Sequence, residues 1–222
     1  MANLFSSFDP STNHFSLNWT SSILMFFVMS WTYWMIPSRM TMLWMKIFYS
    51  LNKEIKVLTP NKKSKGINII MISLFVFIMI NNFLGLFPYI FTSTSQIVIS
   101  LSMALPLWMS FMIFGWINKT MNMFAHLVPQ GTPSLLMPFM VCIETISNII
   151  RPSTLAVRLS ANMIAGHLLM TLLGSVGQAI PSYMVNILIL VQILLLILEM
   201  SVSIIQAYVF MILTTLYSSE VN

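Results

Sequence analysis

Five ionisable side chains, Glu144, Arg151, Arg158, His167 and Glu199, stand in C-terminal runs that are otherwise apolar. A charge at the centre of a membrane costs about 2.5–3.5 kcal/mol on insertion scales, so groups kept there usually mark function. The residue types suit proton movement. Carboxylates and imidazoles can exchange protons near physiological pH, whereas a guanidinium keeps its charge and carries no proton. The set therefore reads as a fixed cation, Arg158, among proton-exchanging groups.

Helical spacing sorts these residues. Glu144, Asn148 and Arg151 follow i, i+4, i+7 and share a face, as do Glu199 and Gln206. Each set can line a polar track, although Glu144 and Arg151 can equally form a static ion pair. Arg158 and Asn162 are neighbours four apart. His167 lies nine residues beyond Arg158, about 180° around a helix, so the two should look in opposite directions. His167 either lines a cavity or bonds a carbonyl. Around Arg158 the side chains of Ala156, Ser160, Ala161, Ala165 and Gly166 are small, which lets another helix approach. No acidic residue stands within seven positions of Arg158, so its partner is expected from elsewhere in the chain or from another subunit.

The elements that must position these groups are membrane helices. Of 222 residues, 58% are hydrophobic and 7% charged, against about 25% charged in an average soluble domain. Between Lys65 and Lys119 there is no Asp, Glu, Lys, Arg or His, enough for two spans of about 20 residues each. The expected architecture is all-α, with five membrane-embedded helices and one amphipathic surface helix in a single transmembrane domain, 1–222. A first span covers 17–36 and ends before Pro37. Across 39–58, Arg39, Lys46 and Lys53 recur every seven residues while Leu43, Ile47, Leu51 and Ile55 recur every four, the pattern of a helix lying in the membrane surface. A basic loop, "TPNKKSKG", follows. Residues 66–88 and 96–117 form a hairpin of spans, with Asn81 and Asn82 requiring partners inside it. A Pro-rich polar connector, containing His126, leads to two long helices at 134–174 and 182–217, separated by a turn at "GSVGQAIPS". At 1.5 Å per residue these would be about 60 and 54 Å long, too long to stand upright in a core of about 30 Å. They are expected as an oblique hairpin.

Composition also excludes several function classes. The single Cys142 permits no internal disulfide or CxxC centre and reads as a small buried hydrophobe. No His, Cys or carboxylate stands at metal-ligand spacing, and no Ser-His-Asp set or phosphate-binding glycine loop appears. No cofactor, metal or catalytic residue is therefore expected. The net charge of +5 comes largely from seven of the ten basic residues clustered between Arg39 and Lys65. Membrane orientation explains that cluster better than nucleic acid does. The N-terminal text "MANLFSSFDPSTNHF" lacks the features of a signal or transit peptide, so no cleaved segment is expected.

The stretches "RPSTLAVRLSANMIAGH", "IETISNIIRP", "NNFLGLFPY", "HLVPQGTP" and "IQAYVFMILTTLYSSE" resemble segments of the mitochondrial subunit a family of F-type ATP synthases. They occur in that family's order and cover nearly the whole chain. The 21 methionines make the text similar to invertebrate, mitochondrially encoded members. The resemblance implies a non-catalytic stator subunit of the mitochondrial inner membrane, beside a rotor ring of c subunits and other stator and membrane subunits. It implies that Arg158 faces the rotor carboxylate and separates two aqueous half-channels. His167 and Glu199 match residues of the half-channel open to the intermembrane space, and Glu144 matches an acidic residue of the matrix half-channel. Asn162 and Gln206 match polar residues near the arginine, Asn82 a pore-side asparagine, and Asn148 lies on the Glu144 face. With the basic segment in the matrix, the N-terminus lies in the intermembrane space and the C-terminus in the matrix.

Two other classes stand beside this reading. A subunit of a redox-driven proton pump would carry haem or quinone, yet no pair of histidines sits at haem-ligand positions. A non-transporting scaffold would leave proton flux unchanged when Glu199 or His167 is neutralised.

Overall fold

The computed structural model of the chain describes residues 4–11, 15–30, 32–59, 65–128, 133, 136–177 and 181–221. Among the described residues seven α-helices follow one another: α1 (Ser21–Val28), α2 (Arg39–Leu58), α3 (Lys65–Gly85), α4 (Ile97–Asn118), α5 (Thr120–His126), α6 (Met137–Val176) and α7 (Val185–Val221). Short 3-10 turns lie at Leu4–Phe8, Leu17–Thr20, Ser93–Ser95 and Ser182–Met184. Among the described residues there is no strand. Part of the basic loop (60–64), part of the Pro-rich connector (129–132, 134–135) and the middle of the last turn (178–180) lie outside the described residues.

Among the described residues four helices are long and apolar enough to cross a membrane, over Gly66–Gly85, Ile97–Asn118, Met137–Val176 and Val185–Ser219. Their hydroxyls are satisfied internally. Ser73, Ser102, Ser110, Ser160, Ser201 and Ser203 each donate to the carbonyl three residues back, which hides polar groups from lipid. Helix α6 runs 40 residues and α7 runs 37, about 60 and 56 Å if straight. Pro152 is accommodated within α6 and Pro106 within α4.

Helix α3 packs along α7, with Met71, Phe75, Val76, Ile78 and Ile80 buried together with Ala207, Phe210 and Met211. The Thr214 hydroxyl reaches the Met71 sulfur at 3.2 Å, which helps set the register of the pair. Leu155, Ala156 and Leu159 of α6 and Ala104 of α4 complete the core. Helix α2 begins where Pro37 and Ser38 interrupt the chain. The Ser38 hydroxyl accepts from the Thr41 amide at 3.4 Å, a Ser N-cap. Its Leu51 and Ile55 are buried and Ile47 packs beside them, but Leu43 is 52% exposed, so the apolar stripe is used from its middle onward.

Three expectations differ from the structure. The helix expected over 17–36 ends at Val28, and Met29 is extended. Ser30, Thr32, Tyr33 and Trp34 are poor helix formers, and Pro37 removes a donor beyond them. The connector after α4 contains a helix, α5, in which the Phe124 ring packs edge-on against Trp116 of α4 at 4.9 Å. Cys142 is exposed, not buried. It shares an outer α6 surface with Ile143, Ile146, Ile149 and Ile150. The equation of small apolar side chains with burial assumes water outside; against lipid an outward thiol costs little.

Candidate functional site

Helices α6 and α7 run antiparallel, and their contacts bring the two polar sets together. Asn162 Nδ2 donates to Gln206 Oε1 at 3.2 Å. One turn along α6, Gly166 makes room for Glu199. A Cβ at Gly166 would lie 2.9 Å from both Cδ and Oε1 of that carboxylate. No other residue type fits without moving Glu199. Gly166 is thus used within the chain, as are Ala156 and Ser160, which are buried; only Ala161 and Ala165 of the small set stay exposed.

Glu199 and His167 both line a cleft of about 630 Å³. At about 30 Å³ per liquid water it has room for about twenty waters. Its other walls come from residues 86–92 and the N-terminal Ser6–Asp9 turn. The Phe8 ring meets the imidazole edge-on at 6.2 Å, and the Gly85 backbone lies within hydrogen-bonding range of that ring. A second space of about 200 Å³ shares Glu199 and His167 and extends along α6 to Asn162. Glu199 Oε1 and His167 Nε2 are buried without a protein hydrogen-bond partner among the described residues. An unmet buried polar group costs about 1–3 kcal/mol, so both atoms favour a water-filled cleft.

Arg158 sits on another side of α6. Its side chain is exposed, on the strip that continues through Ala161, Asn162 and Ala165, and among the described residues no carboxylate lies within 4 Å of it. Asn162 joins this strip to the buried Gln206, so one hydrogen bond links the outer face to the interior. Glu144, the acidic group within α6 itself, is at the opposite end of that helix. Arg151 Nη2 donates to Glu144 Oε1 at 3.1 Å, both side chains being about one third exposed. The Arg151 guanidinium also lies over the Tyr217 ring at 5.5 Å. Asn148, between them in sequence, is half-buried. This end does not meet the cleft.

Asn81 and Asn82 of α3 are both buried, and the Asn82 amide has neither its oxygen nor its nitrogen bonded among the described residues. From the Met71–Thr214 contact, eleven residues in opposite directions bring Asn82 to about the level of Ser203. Asn82, Ser203 and Gln206 are all buried polar residues.

Helical periodicity could not find the cleft's other walls. The Ser6–Asp9 turn is held by Gln96, whose Nε2 donates to the Phe8 carbonyl at 2.8 Å across 88 positions of sequence. Tyr89, at the rim, takes a left-handed backbone with φ 71°, a strained conformation for an aromatic residue. A second unforeseen bond ties α7 to the amphipathic helix, Tyr208 Oη donating to Glu54 Oε2 at 3.0 Å.

The chain is similar to known proteins over nearly its whole length. The family model described as ATP synthase A chain matches residues 15–219. The chain is 60% identical over 223 residues to ATP synthase subunit a of Drosophila melanogaster, covering all of both chains. It is 60% identical over 225 residues to that of Anopheles gambiae, again over the whole of both. With ATP synthase subunit a of Locusta migratoria the identity is 60% over 223 residues, all of this chain and 99% of the locust one. A family match over most of the chain and full-length identity at this level show that the chain belongs to the ATP synthase A chain family.

Proposed function

We propose that the chain is the proton-conducting stator subunit of an F-type ATP synthase membrane sector, lying in the mitochondrial inner membrane against a rotor ring of c subunits. The observation that carries this reading is the position of Arg158. A permanent cation on an outer, apolar helix face, with no acidic partner of its own among the described residues, calls for a carboxylate supplied by a neighbour.

The cleft lined by His167 and Glu199 takes protons from the intermembrane space. They pass along the space beside Asn162 and Gln206 to a rotor carboxylate, which becomes neutral and can then turn through lipid. A carboxyl arriving from the other side meets Arg158, whose charge favours the ionised form, and releases its proton towards Glu144 on the matrix side. Arg158 also repels protons and so blocks a direct leak between the two channels. Each elementary charge crossing yields about 2.3 kcal/mol per 100 mV, so several are needed for each ATP. The chain has five membrane-embedded helices in this reading, the short 17–28 helix being the first, with α2 on the matrix surface. Its N-terminus lies in the intermembrane space and its C-terminus in the matrix, which leaves the cluster from Arg39 to Lys65 on the matrix side.

The test is Arg158→Ala in the assembled complex. Proton-driven ATP synthesis should be abolished while the complex still forms. Retained synthesis would overturn the role of Arg158.

A further inference from the structure

The cleft's outer wall carries one carboxylate that the mechanism above leaves unused. Asp9 is exposed and lines the same cleft as His167 and Glu199. Its backbone is held on both sides: the Asp9 amide donates to the Ser6 carbonyl at 3.3 Å, and Asn18 Nδ2 donates to the Asp9 carbonyl at 3.4 Å. The Gln96 bond to the Phe8 carbonyl, at 2.8 Å, fixes the preceding residue to the start of α4. The N-terminal turn is thereby held against the cleft, and its acidic side chain is exposed there.

We propose that Asp9 is a proton-collecting carboxylate at the mouth of this cleft. The proposal rests on the reading of the cleft as the proton inlet. Asp9 takes a proton from hydronium, releasing water, then gives it to a water inside the cleft bound for Glu199 or His167, and returns to the carboxylate. Among the described residues, the ionisable side chains that line the cleft with it are His167 from α6, Glu199 from α7 and Tyr89 from the 86–92 segment. Asp9 is the one among them that stands in the N-terminal wall. A negative charge at a cleft mouth raises the local concentration of cations and their on-rate. Removing one unit charge at about 10 Å, with an effective dielectric between about 80 and 20, lowers that concentration roughly two- to sixteenfold before screening. Screening over about 8 Å at physiological salt leaves about 0.3 of that energy and brings the expected loss to about 1.2- to 2.2-fold.

The experiment uses the whole complex in proteoliposomes, with ATP synthesis driven by a fixed membrane potential and the pH varied on the cleft side. Asp9→Asn should slow synthesis by up to about twofold at raised pH, where proton supply limits. The gap should close at acid pH and shrink in high salt, and Asp9→Glu should keep the wild-type rate. The proposal falls if Asp9→Asn matches wild type at every pH and salt. It also falls if Asp9→Asn and Asp9→Glu lose activity equally under all conditions, the mark of a structural role. Glu199→Gln, run in parallel, separates the two readings: if it is impaired and Asp9→Asn is silent, only the Asp9 role is lost, and if both are silent the inlet itself is misassigned.

Discussion

Replacing Gly166 by alanine adds a single methyl group against the Glu199 side chain of α7. That Cβ would stand 2.9 Å from Cδ and Oε1 of Glu199 and 3.2 Å from its Cγ. Ordinary carbon–oxygen contact needs about 3.5 Å, so the carboxylate must retreat by about 0.6 Å. The obstructed atoms are the free end of a flexible side chain, and the retreat costs only a strained rotamer, about 0.5–1.5 kcal/mol. Folding and assembly should survive. Misplacement of a reacting group by about 1 Å can cost about a hundredfold in rate, so a shift of about half that should slow proton-driven ATP synthesis roughly tenfold. Gly174→Ala, at a position with nothing within 4 Å, is the matched control and should leave the rate unchanged. The assay is ATP synthesis per assembled complex, with thermal stability measured on the same samples. A Gly166→Ala complex that assembles and works at the wild-type rate would refute the argument that Glu199 acts from this position.

The contact between α6 and α7 is open to a double-mutant cycle. Asn162→Leu and Gln206→Leu should each lower thermal stability, and their coupling should come to about 0.6 kcal/mol, the usual value for an interhelical bond in a membrane; a zero coupling would show that the 3.2 Å bond contributes nothing. At the other surface, Tyr208→Phe removes the bond to Glu54. Hydrogen exchange should then speed up selectively in α2, by an amount equivalent to about 1 kcal/mol, and unchanged protection of α2 would contradict that anchoring role.

The long helices were legible because their signal is local. No charge interrupts residues 66–118, and the last two helices announce their length through unbroken apolar text. The first helix was misjudged at its end, since hydropathy continues through Trp34 and Met35 while helix propensity fails at Ser30 and Thr32. Spacing placed Arg158 and Asn162 on one face and pointed to Glu144 beside Arg151, and the structure joins the latter two at 3.1 Å. It could not show that Gly166 seats Glu199, because that contact joins residues 33 positions apart. Nor could it find the cleft's N-terminal wall, which depends on a bond between residues 88 apart. Composition does not reveal that Cys142 is exposed, because burial of small apolar side chains is the rule only where water lies outside.

The position of the guanidinium bears on every part of this account, and a cross-link tests it directly. After Cys142, which is exposed, is replaced by serine, an Ala161→Cys substitution places a thiol on the exposed strip next to Arg158. In the assembled complex, oxidation should join it to a cysteine introduced beside the rotor carboxylate that the proposed function requires. Absence of that product in a fully assembled and active complex, with cross-links forming only from the opposite side of α6, would contradict the account.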